Sequence, residues 1–140
     1  MEMKITFPDG DVARTEINNH IILTDRSVSA GGEGKVPSPL DYFFTSLGSC
    51  AGLYVLNFCK QKQIETRGLA LIQRMEFVTT DDGKSKLDKI TLEIELPSDF
   101  PEKYRTAVIK TAELCPVKKL LMNPPEFEVT TRLPPPVRSE

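Results

Sequence analysis

Residues 40–58, Leu-Asp-Tyr-Phe-Phe-Thr-Ser-Leu-Gly-Ser-Cys-Ala-Gly-Leu-Tyr-Val-Leu-Asn-Phe, form the longest apolar stretch of the chain. Its length suits a membrane span. It nevertheless carries Asp41, Thr45, Ser46, Ser49 and Asn57, whereas a spanning helix needs about 20 predominantly apolar residues. The expected element is a buried helix. Apolar residues occur on all of its sides, so other elements must wrap it almost completely. A chain of 140 residues has room for one such element, which makes this helix central. Its apolar surface also exceeds what a monomer of this size can cover, so a second copy of the chain is the expected partner.

The start of the helix is written in three residues. Ser38 is a suitable N-cap, Pro39 suits the first helical position because its missing N–H would have no intrahelical partner, and Asp41 sits where a capping-box acid reaches back. Residues 29–36, with three glycines, read as a mobile loop. Past Phe58 the sequence turns to Cys-Lys-Gln-Lys-Gln, so the helix surfaces there and is expected to end near Gly68.

Before the helix, residues 4–7, 12–17 and 21–24 are β-favouring runs separated by Pro8-Asp9-Gly10-Asp11 and Asn18-Asn19, the pattern of a small antiparallel meander. After it, residues 68–79 and 89–96 read as strands. In the second, Ile90, Leu92, Ile94 and Leu96 alternate with polar residues, which gives one buried and one wet face. Phe100, Tyr104, Val108, Ile109 and Ala112 recur at helical spacing. Pro116 then breaks that helix and opens another, with Cys115 as its N-cap. A last strand is expected at 127–133. Strands, helix, strands, helices and strand, without a βαβ rhythm, make an α+β fold. The expected organisation is one domain over 1–133 and a Pro-rich tail over 134–140.

With 39% apolar and 27% charged residues, a net charge of −2 and a pI near 5.5, no broad basic face for nucleic acid and no membrane partner are expected. The opening Met-Glu-Met-Lys-Ile-Thr-Phe-Pro has no basic stretch followed by an apolar run, so no signal peptide is expected. Three cysteines in irregular spacing suit a reducing compartment, the cytoplasm, better than a disulfide framework. They and the single His20 lack the paired spacings of a zinc site, so no metal is expected.

Cys115 stands where free backbone N–H groups favour a thiolate, with Lys118 and Lys119 close behind; the alternative is a small buried hydrophobe. Cys50 is flanked by Gly48 and Gly52, each costing up to about 1 kcal/mol inside a helix. Either another backbone packs closely there, or the narrow helix opens a slot to the sulfur. Cys59, nine residues on, falls on the opposite helical face and reads as structural.

Gly31-Gly32-Glu33-Gly34, Pro37-Ser38-Pro39-Leu40-Asp41, Ser46-Leu47-Gly48-Ser49-Cys50 and Glu113-Leu114-Cys115-Pro116-Val117 together resemble the OsmC/Ohr superfamily, in particular its OsmC-like branch. The resemblance implies an intertwined homodimer, two antiparallel sheets outside long central helices, and sites at the subunit interface. It also implies thiol-dependent reduction of organic hydroperoxides, with Cys50 as the peroxidatic and Cys115 as the resolving cysteine, joined in a disulfide that an external dithiol reductant, lipoyl-type or other, reopens. No metal or organic cofactor is implied. Two positions depart from the pattern. Leu40 stands where the peroxidase branch has a glutamate, with Asp41 beside it as a helix cap, and the arginine expected near the Asp9-Gly10 turn is absent, which leaves Arg14 and Arg26 as alternatives. A binding module that holds an apolar or thiol-bearing small molecule in the same interfacial pocket is the second expectation.

Overall fold

The computed structural model describes residues 1–8 and 10–133; Asp9 and the expected tail at 134–140 lie outside them. Strands β1 (Lys4–Thr6), β2 (Ala13–Ile17) and β3 (His20–Thr24) form a three-stranded antiparallel sheet in the order β1-β2-β3. Ile17 pairs with His20, and Asn18 and Asn19 between them take positive φ angles of 45° and 63°. A two-residue hairpin that matches the strand twist needs this geometry, and asparagine tolerates it.

Helix α1 (Pro39–Gln61) opens with the expected capping box: the Ser38 hydroxyl accepts the Asp41 N–H while the Asp41 carboxylate accepts the Ser38 N–H. It stops earlier than the sequence suggests. Gln63, at φ 54°, turns the chain left-handed, the Ile64 N–H reaches back to Cys59 O at 2.9 Å, and the Gln63 N–H reaches Lys60 O at 3.2 Å. This pair of bonds is a Schellman cap built without glycine, and Ile64 completes it by packing on the core. The loop before α1 is pinned rather than loose. The carboxylate of buried Asp25 accepts the N–H groups of Arg26 at 2.6 Å and Glu33 at 2.8 Å.

Strands β4 (Ala70–Thr79) and β5 (Ser85–Glu95) form a two-stranded antiparallel sheet. A register shift between Glu76 and Phe77 leaves Asp88 without an opposite residue. That bulge interrupts the alternation that marks the second half of β5, which is why the strand begins four residues before Lys89, its expected start. After a 3₁₀ turn at Glu102–Tyr104 come α2 (Arg105–Ala112) and α3 (Pro116–Met122). Val55, Cys59, Phe100, Val108, Ala112 and Cys115 are buried together, so α1 and α2 share one core into which the α3 cap is set.

The chain is α+β with two small antiparallel sheets, as the sequence indicates. Among the described residues α1 is the one long helix of the chain. The expected last strand is absent from the described residues: 127–133 lack regular structure, and Phe127, Val129 and Leu133 are 88%, 93% and 93% exposed. Its residues have strand propensity, but a strand exists only against a hydrogen-bonding neighbour, and none of the described residues pairs with them.

Candidate functional site

The α1 helix carries Cys50 at the edge of its buried face, and the N-cap of α3 carries Cys115. Cys50 packs against the buried cluster that contains Cys115, close enough for the two thiols to act on each other although 65 residues separate them. Cys50 is half-buried and Cys115 only 1% exposed. Cys115 Sγ accepts the Lys118 N–H at 3.5 Å, as an N-cap does, and its S–H points to Leu47 O of α1 at 3.9 Å. Burial, above all, pushes the Cys50 thiol up from its ordinary range. The hydrogen bond and charge of Cys115 push the same way, and the Val117 N–H pulls against them.

The other sequence candidates lie elsewhere in the chain. Asp41 serves the cap, and the Ser38 hydroxyl and N–H hold its carboxyl below the usual range. Arg14 is paired with Glu16 on its own strand, and Arg26 with Asp11 at 3.1 Å. Cys59 is fully buried and takes no part. Among the described residues no group of three or more His, Cys, Asp or Glu is placed to hold a metal.

The glycines beside Cys50 answer to β4 and do not open a slot to the sulfur. A Cβ on Gly48 would stand 3.0 Å from Gln73 Oε1, and one on Gly52 would stand 3.9 Å from the Leu71 methyls. Gln73 uses the space to donate to Phe44 O at 3.0 Å. Sequence reasoning misses Gln73, the Leu47 carbonyl and the Val117 N–H. The last two are main-chain groups with no side-chain signature, while Gln73 reads as one more polar residue on a strand.

On the other side of the α3 cap lies a cavity of about 640 Å³, walled by Leu47 and Ala51 of α1, Leu92 and Ile94 of β5, Val108 of α2 and Cys115. Arg105 and Lys118, both exposed, also line it, and neither is in an ion pair among the described residues. A volume of this size is ordinary for a small-molecule site.

Residues 32–130 match the sequence profile of the family described as OsmC-like protein. The chain belongs to the OsmC-like family. Solved structures agree on the fold. A putative osmotic stress induced and detoxification response protein from Psychrobacter arcticus is 23% identical at TM-score 0.67, over 84% of this chain and 85% of its own. An OsmC-like protein from Mycoplasma pneumoniae is 19% identical at TM-score 0.67, over 88% and 87%. The organic hydroperoxide resistance protein OhrB of Bacillus subtilis is 19% identical at TM-score 0.55, over 88% and 93%. No curated protein matches the chain. In this OsmC-like chain, then, the two cysteines and their setting are the part of the shared fold on which a redox function would rest.

Proposed function

We propose that the protein is a thiol-dependent reductase of organic hydroperoxides that works in the reducing cytoplasm. The observation that carries this reading is that α1 and the α3 cap bring the Cys50 and Cys115 thiols close enough to act on each other. Cys50, the more exposed of the two, attacks the O–O bond as thiolate, becomes a sulfenic acid and releases the alcohol. Cys115 condenses with it to a disulfide with loss of water, and an external dithiol restores both thiols. Family membership supports a redox role, and similarity in fold to hydroperoxide resistance proteins supports the substrate class.

A second copy of the chain belongs to the same proposal. The face of α1 next to Cys50 exposes Leu53 and Tyr54. A homodimer would cover these residues and bring new groups to Cys50.

The test is consumption of cumene hydroperoxide coupled to a dithiol. Cys50→Ser should lose activity by at least about a hundredfold, the scale expected when a nucleophile is removed. A Cys50→Ser protein as fast as the parent refutes the reading. The cavity favours a second one, a binding module for an apolar small molecule. Native mass spectrometry separates the two: a stoichiometric non-covalent adduct together with no peroxide consumption selects the binder.

A further inference from the structure

We propose that the reduced Cys115 thiol is a clasp that holds α3 against α1, and that forming the Cys50–Cys115 disulfide releases it. This inference rests on the proposed redox cycle.

Cys115 makes two bonds of different kinds. Its sulfur accepts the Lys118 N–H and so caps α3; its proton points at Leu47 O and so ties the same cap to α1. Apart from Cys115, the core contact of α3 is made by Val117. The helix is seven residues long and has no buried residue, and Leu120, Leu121 and Met122 are 57%, 46% and 72% exposed. Its extensive packing is with α1 alone. Helices this short do not persist without caps and tertiary support.

Oxidation removes what Cys115 supplies. The peroxide takes two electrons from Cys50: the thiolate bonds to one oxygen, the O–O bond breaks, and the alkoxide leaves and is protonated to the alcohol. Cys115 sulfur then bonds to Cys50 sulfur as water departs, carrying away the Cys115 proton. The bond to Leu47 O has lost its hydrogen. The two sulfurs must also close to about 2.05 Å with a dihedral near 90°. Because α1 runs for 23 residues and α3 for only seven, none of them buried, α3 is the element that yields, and Sγ leaves the line of the Lys118 N–H.

The released helix solves a problem of access. A dithiol must reach a disulfide sulfur to reduce it, yet Cys115 is 1% exposed. Lys118 and Leu121 of α3 lie along the cavity that also touches Cys115. Loosening α3 opens that wall only in the oxidised form, so the enzyme admits reductant when there is a disulfide to reduce.

Hydrogen–deuterium exchange tests the clasp on the full-length protein, reduced and after stoichiometric cumene hydroperoxide, with intact mass reporting the loss of two hydrogens. Amides in 116–122 should exchange roughly fivefold faster once oxidised, the equivalent of one lost N-cap, while those in 51–59 stay unchanged. Cys50→Ala, which keeps the clasp and cannot form the bond, should show no change on peroxide treatment. If the mass shows the disulfide and exchange in 116–122 is unaltered or slower, the clasp is refuted and the redox cycle stands. If no hydrogens are lost, the redox cycle fails and the clasp with it.

Discussion

At Cys50 burial and a neighbouring thiol both work against ionisation, and one backbone N–H works for it. The balance leaves the thiol above its ordinary range, so within one chain the thiolate is a minor species at neutral pH. Since the thiolate is the nucleophile, alkylation of Cys50 by iodoacetamide should accelerate about tenfold per pH unit from neutrality upward, with no plateau before the ordinary thiol range is passed. A plateau near neutrality would mean that a cation reaches the sulfur. The sign for stability is opposite. A raised folded-state value means that the fold prefers the neutral thiol, so this contribution is complete below the unfolded thiol's range and is lost as pH rises through the raised value. Asp41 shows how firmly a residue can be committed elsewhere: its carboxylate has the Ser38 N–H and hydroxyl as partners and nothing to offer a sulfur on another turn.

Among the elements, α1 and β4 meet through two glycines that do different things. Gly52 has only the Leu71 methyls at ordinary contact distance, so Gly52→Ala should stabilise by up to about 1 kcal/mol through helix propensity alone. Gly48→Ala should come out near zero, because its methyl displaces Gln73 and breaks the bond to Phe44 O, a loss of about 1 kcal/mol that offsets the gain. In a Gln73→Ala background, Gly48→Ala should recover the gain seen at Gly52. Urea denaturation measures all of these. The same helix shows what can be read locally and what cannot. Its start lies in Ser38, Pro39 and Asp41, residues that act within one turn. Its end depends on Gln63 entering a conformation that asparagine or glycine would have advertised. The α3 cap was legible from Cys115-Pro116, but its meeting with Cys50 was not, since contact between residues 65 apart is a property of packing. The expected strand at 127–133 failed for a related reason, as pairing needs a partner that propensity does not name.

For the molecule as a whole, the balance of covered and uncovered surface decides behaviour. The N-terminal sheet leaves Ile5 and Ile21 exposed, the turn after β1 leaves Phe7, α1 leaves Leu53, and the C-terminal segment leaves Phe127, Val129 and Leu133. If a second copy covers them, stability becomes tied to protein concentration: the melting temperature should rise on going from sub-micromolar to tens of micromolar chain. Light scattering over the same range should report twice the chain mass. A concentration-independent melting point with a monomer mass would refute the dimer.

The bare flank of α1 also has a bearing on how the protein is made. The most apolar 18-residue window of this helix has a mean hydropathy of 1.2, and only 22% of the window is buried by its own chain. Residues 62–140 leave the ribosome after α1, a delay on the order of several seconds at ordinary rates of synthesis. During that interval, and, if a second copy covers α1, until that copy arrives, each nascent chain presents an apolar helix flank of the kind chaperones bind. Cellular yield is then governed by a race between capture and encounter, and polar substitutions on the Leu53 side of the helix would shift that race before they touched any chemistry at Cys50.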